Sequence, residues 1–129
     1  MSILSDERYR ATIHTERELL GGLIIEAATL TRDAVIETSH IISPSDFIDM
    51  YHGKIFSAML TCNVPVSYLA IAREMDRNGH LEKGDCSYLI KLVAHCICTP
   101  FDIVYYANLI KEYSDQRRGI EVKRIQGAK

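Results

Sequence analysis

The segment that comes nearest to a nucleotide-binding loop runs from Gly79 to Cys86 and has the glycine spacing of a P-loop. A P-loop needs a lysine after its second glycine to neutralise phosphate charge, followed by a Ser or Thr whose hydroxyl holds magnesium. Asp85 and Cys86 stand at those two positions, and the aspartate would repel a nucleotide. The sequence also contains no GxGxxG, GxSxG or HExxH motif. We therefore expect a chain that is not an enzyme.

A second segment carries soft metal ligands. The run His95-Cys96-Ile97-Cys98 puts a histidine beside a Cys-x-Cys, with His80 and Cys86 upstream. Structural zinc sites usually take four ligands from two separated pairs, and a second pair is missing here. Because free cysteine is among the most buried residue types, we expect buried thiols at a helix end, with no metal and no cofactor. A zinc-dependent regulator is the minor alternative.

Side chains with the chemistry of a catalytic site gather in one short stretch, at Ser43, Ser45, Asp46, Asp49 and His52. Such clusters also arise around helix caps, where Ser and Asp accept backbone hydrogen bonds. The stretch has no nucleophile turn and no glycine-rich loop that would form an oxyanion hole. We therefore expect a structural histidine and capping residues, and no catalytic residue.

Composition narrows the class of protein. The chain has 129 residues, a formal charge of −2 and 47% hydrophobic residues, which suits one globular domain. The N-terminal residues lack the apolar stretch of a secretion signal, and the longest uncharged run is interrupted by Asn63 and Pro65. These features predict a soluble cytoplasmic protein whose cysteines are reduced thiols.

Charge is distributed unevenly along the chain. Residues 116–129 hold five basic residues and one acidic residue, a net of +4, whereas residues 1–115 hold ten basic and sixteen acidic residues, a net of −6. The basic end offers four candidate phosphate contacts: Arg117, Arg118, Lys123 and Arg124. Because these cations are few and the protein is acidic overall, we expect DNA binding to be weak and salt-sensitive at best. A small nucleic-acid-binding protein that uses these four residues is the alternative.

Apolar spacing predicts an all-α chain of about six short helices and no strand. Thr15 to Glu18 has the form of a capping box, which places the start of the first helix there and leaves Glu16 facing solvent. Ser67 is placed to cap the fourth helix, which should end at Asn78-Gly79. The other helices are expected after Thr31, at about 50–61, at about 86–95 and after Asp102.

The sixth predicted helix carries an unusually wide apolar surface. Its apolar residues nearly surround the helix axis, which indicates either deep burial or a partner surface. Aromatic and large aliphatic residues are typical anchors of protein interfaces, although we expect two or three of these to face the core. The candidate interface residues are Tyr105, Tyr106, Leu109, Ile110, Tyr113 and Arg117.

A series of short motifs now suggests a family. In chain order they are Leu20-Gly21-Gly22-Leu23-Ile24, Asp46-Phe47, His52, Ile55-Phe56-Ser57-Ala58, Pro65-Val66-Ser67, Gly79-His80-Leu81, Tyr88-Leu89 with Leu92, Thr99-Pro100, and the helix from Asp102 to Glu112. Each motif alone is a generic piece of amphipathic helix. Their common order and near-correct spacing, from Glu16 to about Arg117, resemble the N-terminal domain of bacterial DnaB-type replicative DNA helicases.

The resemblance implies a compact helical bundle followed by the start of a C-terminal helical hairpin, whose second arm would begin near Arg118. It divides the chain into an N-terminal arm at 1–14, a helical domain at 15–116 and a basic tail or truncated hairpin helix at 117–129. The family's ATPase motor domain has no counterpart in this sequence.

In that family the domain is not catalytic. It pairs with copies of itself into a collar and docks primase or a helicase loader. The resemblance therefore implies a protein-interaction module of DNA replication, with helicase subunits, primase or a loader as partners and a homodimer as one form. A stand-alone regulator of helicase loading is the alternative within the same class, and any contact with DNA would be indirect.

Overall fold

The computed structural model describes residues 3–27, 32–82, 85–97 and 102–127, with the side chains of 7–27, 32–82, 86–97 and 102–119. These residues form six α-helices and one 3-10 helix, and no strand occurs among them, so the predicted all-α class is confirmed. The α-helices are α1 Ile3–Ala27, α2 Asp33–Ser39, α3 Met50–Thr61, α4 Tyr68–Arg77, α5 Asp85–Ala94 and α6 Ile103–Gly127, and the 3-10 helix is Pro44–Asp46.

The first helix starts much earlier than the sequence predicted. It runs unbroken through Thr15, so the predicted capping box there is wrong. The Thr15 hydroxyl donates to the carbonyl of Ala11 at 2.8 Å, a bond within the helix, and Thr12 bonds Arg8 in the same way. A Ser/Thr-x-x-Glu pattern therefore does not mark a helix start when helix-forming residues precede it.

Other helix ends follow local signals closely. The expected helix at 50–61 is confirmed as α3, and the carboxylate of Asp49 accepts a hydrogen bond from the Tyr51 N–H at 2.8 Å. Ser67 caps α4 as predicted by accepting from the Ala70 N–H at 3.2 Å. Gly79 follows α4 with φ +76°, a left-handed conformation that glycine adopts without strain.

The core forms around the second half of α1. Helix α1 packs against α6, α5, α2 and α3, and α3 packs against α4. A side chain at Gly21 would place its Cβ 2.3 Å from the Leu92 carbonyl oxygen, so α1 and α5 approach as closely as backbone allows. Fully buried core side chains come from all six α-helices: Leu19, Leu20, Leu23, Val35, Ile55, Phe56, Met59, Ile71, Met75, Leu89 and Ile110.

The last helix departs from the expected hairpin. Helix α6 continues through Arg118 and Gly119 to Gly127, so the second arm predicted to begin near Arg118 is not formed. One uninterrupted helix of 25 residues therefore carries both the aromatic residues and the basic ones. None of the helices in the described residues has an apolar stretch long enough to cross a membrane.

Candidate functional site

A buried polar cluster joins α1, α3 and α5. His52 is fully buried, with Nδ1 2.7 Å from Glu16 Oε1 and Nε2 2.5 Å from the Tyr88 hydroxyl. Glu16 is also fully buried, so the prediction that it faces solvent is wrong. The carboxylate of Glu16 further accepts the N–H groups of Ile48 at 2.7 Å and Asp49 at 3.4 Å. The cluster therefore holds the turn before α3 against α1.

The protonation of Tyr88 suits this arrangement. Burial raises the pKa of the Tyr88 hydroxyl, the charges of Asp49 and Glu16 raise it further, and a hydrogen bond and the charge from Arg17 oppose them. The phenol therefore stays protonated and can donate to His52 Nε2, while Nδ1–H donates to Glu16. His52 has the paired, buried environment of a structural histidine.

A second buried carboxylate, Asp46, joins the 3-10 helix to α6. It accepts hydrogen bonds from the Ser114 hydroxyl at 2.7 Å and from the Ser43 N–H at 2.8 Å, and one of its oxygens lies 3.2 Å from Arg118 Nη1. Arg117 Nη2 donates to the Asp46 carbonyl at 2.7 Å. Arg117 and Arg118, which the sequence offered as phosphate contacts, are thus both engaged within the fold.

Electrostatics favour the charged form of Asp46. Burial alone would raise the pKa of this carboxyl, but the hydrogen bonds from Ser114 and the Ser43 N–H outweigh it, helped by the positive charges of Lys111 and Arg118. The net result is a pKa below the ordinary value, so Asp46 is ionised at neutral pH.

The cluster of potential catalytic side chains is thus accounted for by local structure. Ser43 and Asp46 form a reciprocal capping box at the 3-10 helix, and the hydroxyls of Ser43 and Ser45 lie 2.9 Å apart. Asp49 caps α3, and His52 is held in the buried pair with Glu16. Each of these residues therefore has a partner that fixes helix ends or helix packing.

The cysteines and histidines do not gather into a metal site in the part of the chain with described side chains. No group of three or more His, Cys, Asp or Glu there is placed to hold a metal ion, and Cys98 lies outside the described residues. Cys96 is half-buried, with Sγ 3.5 Å from the Glu18 carbonyl, whereas Cys86 is exposed, contrary to the expectation of buried thiols. Burial raises the pKa of the Cys62 thiol, with Glu74 adding and Arg32 opposing.

The interface candidates on α6 divide between the core and the surface. Tyr105 is 61% exposed and Val104 is 43% exposed, while Tyr106 is half-buried against the core with its ring centroid 5.7 Å from that of Tyr105. Ile110 is fully buried, so it is one of the candidates that face the core in this fold. It faces the core because its helical position matches that of buried Ile103 and Ala107.

The remaining candidates on α6 offer less free surface. Leu109, Tyr113 and Arg117 are half-buried. Lys123 and Arg124 lie in α6, but their side chains are outside the described set. Tyr105 is therefore the best-exposed of the predicted interface residues, and the exposed side chain of Val104, which is not among those candidates, extends the apolar surface beside it.

Sequence reasoning overlooked Glu16 as a central residue, although a signal was present. Leu19, Leu20 and Leu23 follow Glu16 at three, four and seven residues, so the glutamate lies on the apolar stripe of α1. A carboxylate in such a position requires a buried partner, and His52 is the partner that the structure supplies.

Comparison with known proteins agrees with this geometry. Residues 9–112 match the family described as the DnaB-like helicase N-terminal domain. The replicative DNA helicase DnaB of Geobacillus stearothermophilus is 34% identical over 92% of this chain, and the replicative DNA helicase DnaC of Bacillus subtilis is 32% identical over 90%. The chain spans 26% and 25% of the lengths of these two relatives.

Solved structures show the same fold. The N-terminal domain of DnaB helicase from Mycobacterium tuberculosis superposes with a TM-score of 0.71 at 28% identity, covering 84% of this chain and 74% of the other. The N-terminal domain of DnaB helicase from Helicobacter pylori, described with its interactions with primase, gives a TM-score of 0.70 at 20% identity, and both chains are covered completely. The matches do not include the motor domain of the helicases. The family match over residues 9–112 establishes that this chain belongs to the DnaB-like helicase N-terminal domain family.

Proposed function

We propose that this chain is a non-catalytic protein-interaction module of DNA replication, and that the surface around Val104 and Tyr105 is its principal contact. The observation that carries the proposal is a contrast along α6. Val104 and Tyr105 expose apolar surface, whereas Arg117 and Arg118 are bonded to Asp46 within the fold. Large apolar side chains lose favourable burial when they face water, and aromatic anchors dominate the energetics of many interfaces.

The polar residues support a binding role. The buried carboxylates of Glu16 and Asp46 accept hydrogen bonds from the fold itself, and His52 is paired on both ring nitrogens. Groups arranged in this way stabilise a rigid shape and are not placed to attack or protonate a substrate.

Primase is the first partner to test. The Helicobacter pylori domain with the same fold is described with its interactions with primase. Replicative helicase subunits and a helicase loader are the next partners, and pairing with a second copy of this chain is a further form of the same role. A stand-alone regulator of helicase loading would use the same surface.

The experiment measures binding of the purified chain to the replicative helicase and the primase of its host by biolayer interferometry. The test variant is Val104→Asp combined with Tyr105→Glu. The matched control is Tyr68→Glu combined with Leu69→Asp, which changes an exposed pair of similar size on α4, where Tyr68 is 42% and Leu69 48% exposed. Both pairs should leave the helical content unchanged, as circular dichroism will show.

We expect the α6 variant to weaken capture of at least one partner by about tenfold or more, with the α4 control within about twofold of the unchanged chain. Equal losses in both variants would show that the α6 surface has no special role. Absence of binding to every one of these partners by the unchanged chain would refute the proposed function.

A further inference from the structure

A pocket of about 390 Å³ lies between α1 and α5, and none of its lining residues belongs to α6. It is separate from the Asp46 contacts, it borders the core at Leu92 and the buried polar cluster at Tyr88, and basic side chains form much of its rim. The pocket is lined by His14, Arg17, Glu18, Tyr88, Lys91, Leu92, His95 and Cys96.

Helical spacing explains why these residues share one site. His14, Arg17 and Glu18 are three and four residues apart and lie on one face of α1, and Tyr88, Lys91 and Leu92 are related in the same way on α5, with His95 directly after the end of that helix. The close approach of the two helices at Gly21 fixes the distance between the faces. The walls of the pocket are therefore mostly regular helix, completed by His95 and Cys96 just after α5.

The pocket has a positive rim in a chain that is otherwise acidic. Arg17 and Lys91 are exposed, and His14 and His95 add two further nitrogen-bearing rings. Glu18 is the single acidic lining residue; it is buried, and one of its oxygens accepts the Ile97 N–H at 2.9 Å. Residues 1–115 carry a net charge of −6, so this local excess of positive charge opposes the overall distribution.

The remaining lining residues indicate what kind of anion would fit. Leu92, Cys96 and the ring of Tyr88 provide apolar surface beneath the charged rim. The Tyr88 ring is held in place because its hydroxyl bonds His52 and the two rings stack with centroids 5.9 Å apart. An apolar floor under a cationic rim suits a carboxylate carried on an aliphatic stem.

A phosphate is less well matched. Phosphate sites usually present several free backbone N–H groups, often at a helix N-terminus. Here the Ile97 N–H is already bonded to Glu18, and the pocket lies near the C-terminal end of α5, which carries partial negative charge. Attraction of an anion to this pocket must therefore come from the basic side chains of the rim. Basic side chains recognise the carboxylates of acidic peptides in the same way.

We propose that this pocket binds glutamate or aspartate side chains of an acidic segment in a partner polypeptide. The inference rests on the proposed function, since it assigns a charge to the partner's sequence. Arg17 and Lys91 would contact the carboxylates, and Leu92 and Tyr88 would contact the aliphatic stems. The surface around Tyr105 would supply apolar contacts of the same partner.

The test is fluorescence anisotropy of the full chain with a labelled peptide of alternating glutamate and leucine, and with its glutamine–leucine counterpart. The test variant is Arg17→Glu with Lys91→Glu. The control, Arg10→Glu with Arg73→Glu, makes the same charge change at exposed positions outside the pocket. Lys91→Gln serves as a milder variant, and circular dichroism verifies the fold.

We expect the acidic peptide to bind in a salt-dependent way and the glutamine peptide to bind at least about tenfold more weakly. The pocket variant should lose about tenfold or more in affinity, Lys91→Gln about threefold, and the control less than about twofold. Equal losses in the pocket and control variants, or no binding by the unchanged chain, would overturn the assignment.

Succinate and inorganic phosphate as competitors separate the possible sources of the anion. Binding of either one without binding of the peptide would identify a small-molecule site and overturn the peptide assignment. The proposed function is judged separately. Capture of helicase or primase that depends on Tyr105 but not on Arg17 and Lys91 removes this inference alone, whereas peptide binding without any capture removes the proposed function alone.

Discussion

Glu16 and Asp46 are both buried carboxylates, but their partners differ. Glu16 is bonded to His52, which is itself fully buried, and to two backbone N–H groups in the turn before α3. Asp46 is bonded to Ser114 and Ser43 and also to Arg118, whose side chain is 53% exposed. One network lies inside the bundle, and the other lies at its edge beneath the second half of α6.

The difference shows that burial of the partner determines how much folding stability is lost when a polar contact is removed. A buried group that loses its partner keeps the full cost of its lost hydration, whereas a group that can reach water recovers much of it. Loss of Glu16 would strand His52 and backbone groups in the core. Loss of Asp46 would strand Ser114 and the Ser43 N–H, but Arg118 would turn to solvent.

The largest effect is therefore expected for Glu16→Ala. Removing this carboxylate should lower the free energy of unfolding by about 3–5 kcal/mol, since His52 and the Ile48 N–H lose a buried partner. Urea denaturation measures the change. The control Glu37→Ala removes an exposed carboxylate on α2 and should change stability by no more than about 0.5 kcal/mol. Equal effects in the two variants would show that the Glu16 contacts contribute nothing.

A smaller effect is expected for Asp46→Ala. The loss of its hydrogen bonds to Ser114 and Ser43 should cost about 2–3 kcal/mol, less than Glu16→Ala because Arg118 becomes solvated. Hydrogen exchange should accelerate in the 3-10 helix and in α6 near Ser114, and less in α3. A cost equal to or above that of Glu16→Ala, or acceleration spread evenly over the chain, would contradict the contrast between the two networks.

The sequence predicted those parts of the fold that depend on local signals. The bounds of α3, the cap at Ser67 and the left-handed Gly79 follow from residues within one or two turns of the feature. Each signal acts through hydrogen bonds or backbone conformation that neighbours in sequence decide. For the same reason, the order of helices and the family resemblance could be obtained from the sequence alone.

Features that depend on distant partners were not predictable in this way. Glu16 meets His52, 36 residues later, and Asp46 meets Ser114, 68 residues later. The pattern at Thr15 was misleading because a helix start and a helix interior can carry the same four residue types. The apolar surface of α6 was recognised, but only the packing of α1 against α6 decides that Ile110 is buried and Tyr105 exposed.

The smallest effect concerns the charge of Asp46 alone, and pH reveals it. The pKa of Asp46 in the folded chain lies below its ordinary value of 3.8 because hydrogen bonds from Ser114 and Ser43, with the charges of Lys111 and Arg118, outweigh the opposing effect of burial. A carboxyl with a lowered folded-state pKa stabilises the fold above the unfolded-state pKa, and this stability is lost as pH falls through the folded-state pKa.

Asp46→Asn keeps an oxygen that can accept from Ser114 but removes the charge, so it should cost less than Asp46→Ala near neutral pH. We expect the difference in unfolding free energy between the unchanged chain and Asp46→Asn to shrink as pH falls below about 4, as measured by urea denaturation at each pH. A difference that stays constant or widens in acid would mean that the ionised form of Asp46 does not hold α6, and that Ser114 is bound through its hydrogen bond alone.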